Sequence, residues 1–176
     1  MQVLKTAMHS DVLPLEGKTM FHRRAARAIV LRGEDILLLF TERYYDYSLP
    51  GGGVDEGESE LEGMIRELQE ETGAKNVRNI VPFGAYEEYR VWYKPEFDVM
   101  HMISHCFYCD IDEELGEVAF EEYEVKNGMR PVWINIHEAI AHNKHTLENS
   151  EKKGQSLERE IFLLEKIAEN ITKLAS

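Results

Sequence analysis

The sequence predicts an α/β sandwich, and three observations carry that prediction. Short apolar runs rich in β-branched and aromatic residues recur along the chain. Few helical patterns stand among them, and the clearest helix comes only after three strand-like runs instead of alternating with each. The chain has 176 residues, 43% of them hydrophobic and 10% aromatic, enough for one buried core. No repeat or Pro/Gly/Ser linker divides it, so residues 1–176 are read as a single domain, with about 1–20 as an N-terminal extension.

The elements follow in order. Arg24 to Leu31 and Asp35 to Phe40 read as a hairpin around Arg32-Gly33-Glu34. Tyr44 to Leu49 is aromatic and extended, and it runs into Pro50-Gly51-Gly52-Gly53. Ser59 to Thr72 is the clearest helix, because Ser59 with Glu62 makes a capping box and Gly73 closes the end. Val77 to Phe83, Ala85 to Tyr93 and Val99 to Asp110 read as strands, Asp110 to Glu124 as acidic turns, and Met129 to Ile134 as a further strand. A short helix is expected over His137 to His142. A longer one is expected from about Ser156 to Leu174, where Leu157, Ile161, Leu164, Ile167, Ala168 and Ile171 recur at helical spacing.

Composition narrows the partners. Asp and Glu number 33 against 20 Lys and Arg, a net charge of −13, which argues against a nucleic-acid polymer. A small anionic ligand stays open, because a bound divalent cation inverts the local field. No apolar run approaches the roughly 20 residues of a membrane span, and Met1 to Ser10 lack a signal pattern, so a cytoplasmic location is expected. Cys106 and Cys109 suggest zinc by spacing, yet they sit three apart in a strand and should point in opposite directions. His137 and His142 are five apart, off a shared helical face, which removes a zinc-protease reading.

The chemistry concentrates on the first helix. At roughly 100° per residue, Leu61, Met64, Ile65, Leu68 and Thr72 form a core stripe, while Glu67, Glu70 and Glu71 gather on another arc. Gly63, one turn earlier, is expected to leave space above them. Carboxylates so close repel unless something compensates, and a hard cation such as Mg²⁺ or Mn²⁺, which prefers oxygen ligands, would do so. The full spacing is Gly52-x5-Glu58-x7-Arg66-Glu67-Leu68-x-Glu70-Glu71-x-Gly73-Ala74. Over these 23 residues, preceded by Leu49-Pro50-Gly51, the chain resembles the Nudix hydrolases.

That resemblance implies an α/β/α sandwich with a mixed sheet and metal-dependent hydrolysis of a nucleoside diphosphate linked to another group. It implies Glu67, Glu70 and Glu71 as metal ligands together with the Gly52 carbonyl, Glu58 as the first glutamate of the motif, and Arg66 as its orienting arginine. Asp55 stands where the family usually has Glu. The catalytic set is completed by a glutamate from the loop before the last strand. Glu113, Glu114, Glu117, Glu121, Glu122 and Glu124 all qualify, and its distance before Trp133 favours Glu121. Arg24, Arg27 and Arg43 are candidate phosphate contacts. Tyr86, Tyr89, Trp92 and Tyr93 could stack on a base, and Tyr89 stands about where some diadenosine-polyphosphate hydrolases of the family carry a tyrosine. The expected partner is a small nucleotide-type molecule, with a second copy of the chain left open. The rival reading is a Nudix domain that binds a nucleotide derivative without turning it over. Isoprenyl-diphosphate isomerisation is disfavoured, since neither cysteine has a context for it.

Overall fold

A computed structural model describes all 176 residues. Nine strands and four helices follow one another as β1 (Val3–Met8), β2 (Met20–Ile29), β3 (Leu31–Arg32), β4 (Asp35–Thr41), β5 (Asp46–Ser48), β6 (Gly51–Gly53), α1 (Glu60–Thr72), β7 (Arg78–Val91), β8 (Val99–Asp110), α2 (Glu122–Lys126), β9 (Met129–Asn135), α3 (Ile136–Asn149) and α4 (Leu157–Ala175). A mixed sheet runs β1-β7-β8-β2-β6, with β1 parallel to β7 and β2 parallel to β8. A second, antiparallel sheet centres on β4, which pairs with β9 along one edge and with β3 and β5 along the other. No helix is long and apolar enough to cross a membrane.

Helices cover both faces, as alternation along the strands requires. Ala26, Ala28 and Val30 turn with Leu37, Phe107 and Cys109 towards Met64 and Leu68 of α1. Ile29, Ile36, Leu38 and Cys106 turn the other way, onto Leu163, Leu164 and Ile167 of α4 and Ala139 of α3. The two cysteines therefore lie in different cores on opposite faces. Burial pushes both thiols up to about 12.

Several elements depart from the sequence reading. The expected hairpin keeps its turn at Gly33 but pairs only Leu31 and Arg32 with β4. Most of the expected first arm, Arg24 to Ile29, instead continues β2 and pairs with β8 in the other sheet. Val77 to Phe83 and Ala85 to Tyr93 belong to one long strand, β7, whose register breaks between Pro82 and Gly84. Gly84 is needed there because a Cβ would lie 2.5 Å from Leu4 Cγ of β1. The N-terminal extension thus supplies an edge strand, half exposed and too short to read by periodicity. The third helix runs to Asn149, well past His142, and a short helix, α2, lies in the acidic segment.

Behind the mixed sheet, buried charges tie α4 to the segment that leads into the glycines. Arg159 Nη1 donates to Glu88 of β7 at 3.0 Å and Nη2 to Glu160 at 3.1 Å. Glu160 in turn accepts the Leu49 N–H at 2.9 Å, while the Asn143 amide of α3 takes both the N–H and the carbonyl of Tyr47. Buried ions cost several kcal/mol each unless paired, so deleting one partner is expensive. Arg159→Leu should lower unfolding stability by about 3–5 kcal/mol in a urea titration. A loss below about 1 kcal/mol, the worth of an exposed pair, would show that the network contributes little.

Candidate active site

The first helix is placed at both ends by local chemistry. Ser59 Oγ accepts the Glu62 N–H at 3.2 Å, and Glu62 Oε2 accepts the Ser59 N–H at 2.8 Å, satisfying two otherwise orphaned donors. Gly73 ends the helix at φ 72°, where a Cβ would collide with the Gly116 carbonyl. That contact docks the acidic segment on α1: Gly116 N–H donates to Gly73 and Ala119 N–H to Glu70, both at 2.6 Å. Met64 and Leu68 fix the rotation of the helix by burial, and the opposite arc faces the glycine strand β6.

The result is a cleft of about 640 Å³ that gathers Gly51–Gly53, Arg66, Glu67, Glu70, Glu71 and Glu121. Arg66 is its hub. Nε and Nη2 hold Glu58 in a fork at 2.8 and 3.1 Å, Nη1 reaches Glu67 at 2.9 Å and Glu70 at 3.3 Å, and Nη2 donates to the Gly53 carbonyl at 3.0 Å. A fork of this kind is stronger and more directional than a point charge. A Cβ at Gly52 would lie 2.7 Å from Glu67 Oε1, so any other residue there would push the Glu67 carboxylate from its place. Gly63 meets Glu58 and Val54 and does not open space above the other glutamates, so its part is to admit Glu58 beneath Arg66.

The electrostatics follow these contacts. Hydrogen bonds from Arg66, then from the Asp55 N–H, hold Glu58 below the usual carboxylate range, and donating to Glu58 raises Arg66. Burial pushes Glu67 up, against the pull of Arg66. Glu71 is 4% exposed and is driven well above 4.5 by burial foremost, although it accepts the Gly51 N–H at 2.7 Å; Glu67 and Glu124 add to the rise.

No three acidic side chains converge on a common point in ligand geometry. Glu67 and Glu70 turn to Arg66, and Glu71 to Gly51. The Arg66 guanidinium supplies part of the positive charge that these carboxylates need. The donor set, three carboxylates and a backbone carbonyl, is all oxygen and fits a hard divalent ion.

Other expected residues scatter. Glu121 lines the cleft, and Glu122 faces outward to Lys126 at 2.8 Å. Glu124 is buried, accepts the Glu121 N–H at 2.7 Å, and makes itself felt at Glu67 and Glu71. Arg27 lies buried under the sheet and donates to Ser104 Oγ at 3.3 Å instead of lining the cleft. Arg24 pairs with Glu60 at 2.9 Å, and Arg43 with Asn127 at 3.1 Å. Tyr89 stacks on His101 at 4.5 Å and bonds Glu87, also outside the cleft. Arg23, Tyr93 and Tyr123 line it in their place. Arg23 and Arg24 are adjacent in a strand and face opposite ways, and nothing in their spacing tells which one meets Gly53. The sequence offers Tyr93 as a stacking residue, and nothing around Tyr123 marks it as part of the cleft.

Residues 21–154 match the model of the NUDIX domain, and the chain belongs to the NUDIX family. An RNA pyrophosphohydrolase of Bartonella quintana (strain Toulouse) is 40% identical over 57 residues, 32% of this chain and 30% of that protein. The match thus spans less than a third of the curated relative's length. A crystal structure of a MutT NUDIX hydrolase from Burkholderia pseudomallei is similar with a TM-score of 0.49 at 18% identity, covering 66% of this chain and 85% of that one.

Burial makes the Glu71 carboxylate a liability to the metal-free fold. A carboxyl whose pKa is raised on folding contributes stability below its unfolded value near 4.5, and that contribution is lost as pH rises through the folded value. Glu71→Gln keeps an acceptor for the Gly51 N–H. In EDTA at neutral pH it should melt above the wild type, with the advantage shrinking as the pH falls towards 4.5. A variant that melts lower at neutral pH would mean the ionised carboxylate stabilises the fold.

Proposed function

We propose that this chain is a divalent-metal-dependent pyrophosphohydrolase, cleaving a phosphoanhydride in a nucleoside diphosphate joined to another moiety. The observation that carries the reading is the Arg66 hub, which holds Glu58, Glu67 and Glu70 against β6 in a cleft open to Glu121. A solvated Glu-rich helix face would not need a four-donor clamp on its own glutamates. The name of the Bartonella relative points to the same class of reaction.

In this reading Glu67, Glu70, Glu71 and the Gly52 carbonyl hold Mg²⁺ or Mn²⁺. Such an ion, when bound, neutralises phosphate oxygens and lowers the pKa of a coordinated water. The rest is done by the chain itself. Arg66 fixes the rotamers of Glu58 and Glu67, so their carboxylates need no reorganisation when substrate arrives. Arg23, beside Gly53, is placed to meet a phosphate oxygen at the cleft wall. Glu121 and Glu124, set on α2 and anchored to α1 through Gly116 and Ala119, supply a carboxylate that takes the proton of the attacking water.

Glu67→Gln and Glu70→Gln should each lower kcat at least about 100-fold, some 2.7 kcal/mol in the barrier, in assays with a panel of nucleoside triphosphates, dinucleoside polyphosphates and nucleotide sugars. Wild-type rates in both at limiting Mg²⁺ would remove the helix from the chemistry. By mass action Mn²⁺ should raise the melting temperature of the wild type and raise that of Glu67→Gln less. Identical melting curves in EDTA and in saturating Mn²⁺ would argue against a metal site. Glu121→Gln should cut kcat far more than KM, since proton transfer is felt only in the transition state. If Glu124→Gln alone does so, the base is the buried residue.

A further inference from the structure

A second cavity of about 610 Å³ opens directly beside the carboxylate cleft, and Tyr93 and Tyr123 line both. Its polar lining holds two charged groups that the protein leaves short of partners. Arg90, on β7, has a buried Nη1 with no hydrogen-bond partner. Its one charge partner is Glu88, whose Oε1 stands 3.4 Å from Nη1 without forming a hydrogen bond, while Oε2 is held by Arg159 at 3.0 Å. Asp46, on β5, is 6% exposed and makes no side-chain hydrogen bond or ion pair, and only the more distant Arg159 charge works against its burial. Gly154 closes over it, a Cβ there lying 3.2 Å from Oδ2. Burial foremost, with the nearby Glu160 charge, pushes the Asp46 carboxyl up to about 6, and burial pulls Arg90 down to about 10. Both shifts mark charges with too little local compensation. Native structures satisfy nearly all buried polar groups, so a buried guanidinium nitrogen without a hydrogen bond and a nearly buried carboxylate without one, in the same cavity, ask for a ligand that serves both.

The chemistry of that ligand is constrained. An ionised carboxylate needs donors, and a guanidinium needs acceptors. A second phosphate would suit Arg90 and Lys153, but Lys153 already donates to the Leu147 carbonyl at 3.0 Å and the phosphate would face the Asp46 charge, so a neutral group carrying donors on one edge and acceptors on another fits better. Tyr44, Tyr93 and Tyr123 offer aromatic surface to a flat ring. Among the bases, guanine presents two adjacent donors, N1–H and the N2 amine, and two adjacent acceptors, O6 and N7, the pair that arginine reads in a fork. Adenine matches a side-chain amide better than a charge. The amide oxygen of Asn127, one of the amides at this cavity, is already engaged by Arg43 at 3.1 Å.

We propose that this cavity is a guanine-selective base pocket, in which Asp46 accepts from the N1 and N2 edge and Arg90 donates to the O6 and N7 edge. The inference rests on reading the adjoining cleft as the diphosphate site, and it adds the identity of the base. Binding of GMP, AMP, CMP and UMP, measured by calorimetry with and without Mg²⁺, tests it without requiring turnover. GMP should bind at least about tenfold more tightly than AMP, a difference of roughly 1.4 kcal/mol. Asp46→Ala and Arg90→Met should each abolish most of that preference while leaving AMP affinity within about twofold. Asp46→Ala should also melt no lower than the wild type, because it removes a buried charge whose burial outweighs the pull of Arg159; this separates lost recognition from lost folding.

Equal affinities, no detectable GMP binding, a guanine preference that survives both substitutions, or an adenine preference, which would point to the Gln155 amide, overturns the assignment. A substrate panel run in parallel keeps the two readings apart. Hydrolysis without base discrimination overturns the pocket alone, and guanine-selective binding without hydrolysis of any diphosphate derivative overturns the catalytic reading alone.

Discussion

Four carboxylates have to stand within reach of one another for this cleft to exist, and one guanidinium makes that arrangement tolerable. Arg66 bonds Glu58 through two nitrogens and touches Glu67, Glu70 and the Gly53 carbonyl besides. It is thus the joint between α1, the loop before it and the glycine strand. Without that fixed charge, the crowding of Glu58, Glu67 and Glu70 would favour any arrangement that let them separate. Glu71 takes a different solution. It lies outside the reach of Arg66 and sinks to the base of the cleft, where the Gly51 N–H and a raised pKa offset its burial.

The hub works only because its surroundings are stiff. The glycine strand is held from one side by three residues of β2 and from behind by Glu160, whose carboxylate takes the Leu49 N–H while paired with Arg159. The capping box and the Gly73 terminus fix α1 along its axis, and Met64 and Leu68 fix its rotation. The same Gly73 terminus receives the acidic segment, so one glycine both ends the helix and carries Glu121 and Glu124 to the cleft. Packing on both faces of the sheets therefore converts into positional precision at a handful of oxygens.

Much of this was legible along the chain wherever a signal was local. The capping box, the glycine terminus, the three-residue offset between Cys106 and Cys109, and the grouping of Glu67, Glu70 and Glu71 depend only on neighbours in sequence, and each stands where the pattern put it. Signals that depend on pairing were misread. Arg24 to Leu31 looked like half a hairpin because its turn residues are correct, yet ten of the residues from Met20 onward find their partner in β8, some eighty positions away. The break at Gly84 looked like a turn between strands, and is instead a gap filled by Leu4.

What the sequence determined by itself was the set of chemical groups and their order: a helix with three carboxylates on one arc, an arginine beside them, glycines before them and an acidic segment after. The spacing of residues on a helix is a local property, so it survives whatever the rest of the chain does. Tertiary structure alone decided that Arg66 reaches Glu58, Glu67 and Glu70 at once, that Arg23 and Tyr123 line the cleft while Arg27 and Tyr89 do not, and that Asp46 and Arg90 share a cavity. Each of those outcomes turns on which face a strand presents and how deeply a side chain is buried, and both are set by contacts between segments far apart in the chain.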